Sequence, residues 1–254
     1  MVWADADLTR DAYLGGRVSV MQPKAGYRAG VDPVLLAAAV PARAGEAVLE
    51  LGCGVGVALL CLHARVPGLR LAGIEVQADY AALAARNAAQ NGAEMRVVAA
   101  DLRALPGEIR NQNFDHVIAN PPYFDRKTSS PSTDPGRDTA LGGDTPLSEW
   151  CDVAARRLRP GGRLTMILRI ARLPEVLSGL QDRLGSLTIL PIAARGQVAP
   201  ALFLLQARKG GRAAFRLLPS LVMHEGERHL RDADSYQPVV AGILRDAAGL
   251  TMAD

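Results

Sequence analysis

The sequence predicts an α/β fold: a doubly wound sheet of six or seven mostly parallel strands with helices on both faces. Three observations predict it. From about residue 46 short apolar runs alternate with helical patterns, and a glycine-rich turn joins the first such run to the first such helix. The last two apolar runs are separated by a loop too short for a helical crossover, so they are expected to pair antiparallel and leave a reversed final strand. With 254 residues, 49% of them apolar and 22% charged, the chain can bury a large core. It is read as one unit over 1–254, with an N-terminal helical addition at 1–45, a core at 46–208 and a basic C-terminal addition at 209–254.

Taken in order, Asp32 caps a helix with Pro33 in its first turn and Val34, Leu35 and Leu36 as apolar content. Ala47 to Leu51 is the first core strand and leads through the turn into an apolar helix, Val57 to Arg65, closed by Pro67 and Gly68. Leu69 to Val76 is the second strand. An alanine-rich helix from Ala78 to Gln90 follows, with Asn91 and Gly92 as a left-handed cap. Met95 to Ala100 and Phe114 to Ala119 are the third and fourth strands. A helix from Leu147 to Leu158 ends in Arg159-Pro160-Gly161-Gly162, ahead of the fifth strand at Arg163 to Arg169. Leu187 to Ile192 and Ala201 to Ala207 form the closing pair. Residues 124 to 145, rich in Pro, Gly, Ser, Thr and Asp, make a connection long enough to be expected over a substrate.

Composition excludes several classes. Cys53, Cys61 and Cys151 are odd in number and lack the spacing of a disulfide framework or zinc site, which fits a reducing cytoplasm. Asp5, Asp7 and Asp11 stand where a signal peptide would need basic then apolar residues, and no apolar run approaches the roughly 20 residues that span a bilayer, so no membrane partner is expected. His224 and His229 are five apart and do not share a helical face, so no metal is expected there; His116 reads as a packed strand residue. The net charge of +3 is compatible with nucleic acid without requiring it. Arg195, Arg208, Lys209, Arg212, Arg216, Arg228 and Arg231 would serve RNA phosphates if they share a face.

The chemistry lies at the strand ends. Glu50-Leu51-Gly52-Cys53-Gly54-Val55-Gly56 joins strand to helix, where missing side chains let backbone N–H groups approach a ligand. The dinucleotide fingerprint would have its third glycine at Val57, so the spacing argues against hydride transfer. Glu75, about twenty residues on, ends the second strand, where a carboxylate accepts from both hydroxyls of a ribose. Asp101 follows the third strand at the same edge and is placed to accept from an adenine amine. Asn120-Pro121-Pro122-Tyr123 ends the fourth strand. The Asn amide oxygen and the Pro121 carbonyl are two acceptors that the prolines hold rigidly, so both can converge on one N–H₂ group, while Tyr123 offers a stacking face. An adenine amine and a glutamine amide both present that group, and the tetrad alone leaves the two open.

These residues resemble class I methyltransferases of the amino type, and the resemblance covers most of the chain. The segment Gly26-Tyr27-Arg28-Ala29-Gly30-Val31-Asp32 with Val34-Leu35-Leu36 is similar more narrowly to bacterial adenine-N6 methyltransferases of valine tRNA. The resemblance implies a Rossmann-like sheet of seven strands with the last reversed. It implies S-adenosylmethionine held by Glu50, Gly52, Cys53, Gly54, Gly56, Glu75, Val76, Asp101, Leu102 and Asn120, with Arg28 and Asp32 bordering it. The target amine would lie at Asn120, Pro121, Pro122 and Tyr123. Many relatives carry Asp where Glu50 stands, and the carboxylate is retained. The expected reaction is N6-methylation of an adenine in RNA, with tRNA near the anticodon as the preferred substrate and no obligate protein partner. Protein glutamine, rRNA or DNA amines, and a binding-only subunit are the alternatives.

Overall fold

The computed structural model describes residues 3–122, 145–226 and 235–252. Along the chain come β1 (Leu8–Tyr13), β2 (Val18–Pro23), α1 (Asp32–Ala39), β3 (Ala47–Leu51), α2 (Val57–Arg65), β4 (Arg70–Glu75), α3 (Ala78–Gln90), β5 (Met95–Ala99), α4 (Gly107–Arg110) and β6 (Phe114–Ala119). Then follow α5 (Leu147–Arg157), β7 (Leu158–Arg169), α6 (Leu173–Leu180), β8 (Gly185–Ala193), β9 (Leu202–Arg208), β10 (Arg216–Leu217), β11 (Leu221–Val222) and α7 (Pro238–Asp246).

The central sheet runs β5-β4-β3-β6-β7-β9-β8, with β10 and β11 added beside β8. Pairs from β5 through β7 are parallel, and β9 runs antiparallel to both β7 and β8, which is the reversed strand the short loop predicts. Successive strand residues feed opposite layers, as the period of two requires. Val48, Ile118, Ile167 and Leu204 join α1, α2, α3 and α7 on one face, whereas Leu49, Val117, Met166 and Phe203 join α5 and α6 on the other. The strands therefore read as continuous apolar runs because both faces are covered. All three thiols are buried: Cys53 in the turn, Cys61 in the first layer and Cys151 in the second.

Four expectations are corrected. The N-terminal addition opens with a β1–β2 hairpin as well as a helix. The outer edge of β2 is satisfied by two asparagines one turn apart, Asn87 in α3 and Asn91 just past its end. Asn91 exchanges bonds with the Ser19 N–H and C=O (3.0 and 2.7 Å), and Asn87 with those of Met21 (2.9 and 3.0 Å). Each side-chain amide carries a donor and an acceptor, so the pair imitates a neighbouring strand. Asp32 does not cap α1; Val31 is the capping position, and Asp32 and Pro33 are the first two helical residues. Arg159 to Gly162 belong to β7 itself, drawn in through an irregularity opposite Phe114 and His116. Finally, α6 and α7 are additional helices, the last packed so tightly on the hairpin turn that a Cβ on Gly15 would come 2.7 Å from the Arg245 carbonyl.

Candidate functional site

A cavity of about 210 Å³ opens at the carboxyl ends of β3, β4, β5 and β6, where a doubly wound sheet places its ligands. Of the residues expected at a cofactor, Glu50, Gly52, Cys53, Gly54, Glu75, Val76, Asp101, Leu102 and Asn120 line it, as do Pro121 and Pro122. The turn is shaped by close approaches. Gly52 has φ +66° and a Cβ there would lie 2.7 Å from the Trp150 ring, while Cys53 sits over Gly73, whose Cβ would lie 2.7 Å from its sulfur. Both crossings need a glycine.

Three expected residues sit elsewhere. Gly56, at φ +89°, starts α2 and faces Met95 and Ala84. Arg28 donates to Thr9 Oγ1 (2.7 Å), the Pro23 carbonyl (3.0 Å) and Asp11 (2.6 Å), so it ties its loop to the hairpin. Asp32 is not in the cavity wall; burial raises its pKa, with Arg169 opposing. Tyr27, Ala29 and Pro33 line the cavity instead, and Gln77, Tyr80, Arg103, Thr145 and Trp150 also stand in that wall. An alternation in the loop explains the exchange: residues 27 and 29 face inward and residue 28 outward. The Tyr27 N–H donates to the Tyr80 hydroxyl (2.9 Å), and the Ala29 N–H donates to the buried Gln22 (2.7 Å). Arg28 is expected from the resemblance, whereas a period of two along the loop places its neighbours in the wall.

The electrostatics centre on two carboxyls. Burial pushes Glu50 well above the ordinary carboxylate range, nearby Glu75 adds to this, and one Glu50 oxygen has no protein partner. Glu75 accepts the Gly54 N–H (3.0 Å) and the Gln77 N–H (2.9 Å), so it links the turn to its own strand end; burial raises its pKa against those bonds. Asp101 is lowered by the Arg103 side chain, whose guanidinium lies 2.6 Å from it, and it also accepts the Arg103 N–H (2.8 Å).

Beside the turn, where Ala119 of β6 pairs with Leu51 of β3, the next residue, Asn120, holds its Oδ1 buried with no partner. A buried acceptor without a donor costs free energy, and this one belongs to a residue that lines the cavity. The Pro122 carbonyl accepts from Arg172 Nη1 at 2.8 Å. Tyr123, the loop from 124 to 144, Arg228, His229 and Arg231 lie outside the described residues. His224 stacks on Tyr236 with ring centroids 4.7 Å apart, and His116 pairs with Glu46 at 2.9 Å as a packed strand residue.

The family model described as methyltransferase small domain matches residues 29–194. A tRNA1(Val) (adenine(37)-N6)-methyltransferase from Porphyromonas gingivalis is 33% identical over 175 residues, 65% of this chain and 68% of that one. A protein of the same name from Dickeya chrysanthemi is 28% identical over 229 residues, 86% and 88% of the two chains. Among solved structures, a predicted O-methyltransferase from Agrobacterium tumefaciens matches with a TM-score of 0.70 and 26% identity over 87% of this chain and 98% of that one.

Proposed function

Because this chain belongs to the methyltransferase small domain family, we propose that it methylates N6 of an adenine in tRNA beside the anticodon, using S-adenosylmethionine. The observation that carries this reading is the buried, unpartnered Oδ1 of Asn120 in the wall of the cavity that the glycine turn also lines. When bound, S-adenosylmethionine supplies an electrophilic methyl on a positively charged sulfur. Every other contribution falls to the chain's own groups.

The fit to that cofactor is chemical. Gly52 and Gly54 expose backbone at the turn, Glu75 offers carboxylate oxygens to a ribose, and Asp101 and Leu102 border the place for an adenine. Glu50, holding an unpartnered carboxyl oxygen in the interior, suits a cationic ligand. Asn120 Oδ1 and the Pro121 carbonyl accept the two hydrogens of the target amine, which draws its lone pair out of conjugation and towards the methyl. In-line positioning and fixed dipoles then supply the acceleration, with no covalent nucleophile. A hydroxyl acceptor would satisfy only one of the two carbonyl groups, so the site favours an amine over the oxygen named for the Agrobacterium protein. Anticodon-loop bases are unpaired, so presenting one to the cavity costs little.

Residues 1–254 act as one unit in this reading, in the cytoplasm and without an obligate protein partner. No helix among the described residues is long and apolar enough to cross a membrane. The test is methyl transfer from labelled cofactor to tRNA, rRNA, DNA and protein pools. N6-methyladenine in tRNA is expected, and label in glutamine or another nucleobase instead would overturn the substrate assignment. Asn120→Ala is expected to lower the rate by about 100-fold or more with cofactor affinity retained.

A further inference from the structure

We propose that Arg172 is a positioning residue for methyl transfer, fixing the Pro121-Pro122 acceptor segment by clamping the Pro122 carbonyl to α5 through Glu175. The inference rests on the reading of Asn120 and Pro121 as acceptors of the target amine.

The need for such a clamp follows from the tetrad itself. Strand β6 ends at Ala119, and the next residues leave the sheet. Neither Pro121 nor Pro122 has an N–H, so this stretch cannot be anchored by donating backbone hydrogen bonds. Its polar handles are the carbonyls and the Asn120 side chain, and two of these handles must stay free for substrate. The Pro122 carbonyl is the handle left over, and Arg172 Nη1 donates to it at 2.8 Å.

Arg172 is itself held on its remaining edge. Its Nε and Nη2 donate to the two Glu175 oxygens, each at 2.9 Å, in the bidentate geometry that a guanidinium makes with a carboxylate. Glu175 Oε1 also accepts the Leu147 N–H at 3.2 Å. Leu147 begins α5, whose capping position Pro146 supplies no side-chain bond, so Glu175 acts as a cap from another helix. The Arg172 side chain is only 14% exposed, which marks it as an internal tie rather than a free surface cation. Pro122 and Leu147 are thus joined through one ion pair on α6 and the turn before it. The Pro122 peptide plane then has a fixed direction, and with both proline φ angles set by their rings, so has the Pro121 carbonyl.

The experiment compares wild type with Arg172→Gln, Arg172→Lys and Glu175→Gln on whichever acceptor pool the wild type methylates. Failure on tRNA would therefore overturn the substrate reading while leaving the clamp decided by the comparison among variants. Arg172→Gln is expected to lower kcat roughly 10- to 100-fold, with KM for the acceptor and the calorimetric Kd for S-adenosylmethionine each within about twofold of wild type. Arg172→Lys, which keeps the charge and one donor, should recover part of kcat, and Glu175→Gln should fall between it and wild type. Unchanged kcat in Arg172→Gln overturns the proposal. A raised KM at unchanged kcat also overturns it, since that makes Arg172 a contact for the acceptor's phosphates. A matching loss of cofactor affinity and melting temperature would reduce the residue to a general structural role and overturn it too.

Discussion

Glu50 holds a carboxyl in the protein interior with one oxygen unpartnered, and burial raises its pKa from 4.5. A folded-state pKa above the unfolded one means that the folded protein binds the proton more tightly, so this group costs stability as pH rises above about 4.5. Glu50→Gln is therefore expected to melt higher than wild type in the absence of ligand, with a difference that opens as pH increases from 4 to 7. The same change should weaken S-adenosylmethionine binding by roughly 10-fold, the worth of a hydrogen bond to a charged group. Calorimetric melting and titration of both proteins check the two halves; a variant with lower apo stability and undiminished affinity would remove Glu50 from the site. At this scale Gly52, Gly54 and the strand-end acids, all in the cavity wall, were legible in the sequence, because absent side chains and carboxylates at successive strand ends stand out from a core pattern. Tyr27 and Trp150 were not, because they enter the wall through packing, and their residue types announce no ligand chemistry.

Among the elements, α1 shows how a helix apolar on every side is made tolerable. Seven of its eight residues are buried, and its last carbonyls face protein instead of water. Arg65 Nη2 donates to the carbonyls of Ala37 (2.9 Å) and Val40, the Leu250 N–H to that of Ala38 (2.8 Å), and Gln206 Nε2 to that of Ala39 (2.6 Å). Gln206→Leu keeps the volume and removes the donor, leaving the Ala39 carbonyl unsatisfied. A loss of about 1–3 kcal/mol by denaturant titration is expected, without a change in cofactor affinity at saturating protein stability. The core strands could be read as short apolar runs, and α1, α2, α3 and α5 as apolar or alanine-rich stretches bounded by proline, glycine or a capping residue. The β1–β2 hairpin escaped because one of its edges is answered by Asn87 on α3 and Asn91 just past it, far away in sequence. Helix α6 escaped because Pro174 and Gly179 punctuate eight residues that tertiary packing nevertheless holds helical; Gly179 is there so that Cys151 can approach, with a Cβ 3.0 Å from its sulfur.

Over the whole molecule, the reversal of β9 divides the basic residues that the sequence grouped together. Arg208 pairs with Arg163 just past the irregularity in β7, and Arg216 with Thr188 early in β8, so Arg208, Lys209, Arg212 and Arg216 gather towards the amino edge of the sheet. Asn120 lies at the opposite edge, together with Arg169 at the end of β7 and Arg195 just past β8. On the proposed reading, an RNA base reaching Asn120 would bring its phosphates towards the second group. Arg169→Ala or Arg195→Ala is expected to weaken tRNA binding and reduce its salt slope by about one, while Arg212→Ala and Arg216→Ala leave both unchanged. The reverse pattern would place the RNA on the other side of the sheet. The buried thiols give the same architecture a timekeeper. Burial pushes Cys61 and Cys151 up to about 12 and Cys53 well above its ordinary value, so none is a reactive thiolate at neutral pH. A thiol-labelling reagent then records how often each layer opens: Cys61 under one face, Cys151 under the other, and Cys53 at the turn. Adding S-adenosylmethionine should slow the Cys53 clock first, and mass-resolved labelling that finds it ticking unchanged would separate the turn from the ligand.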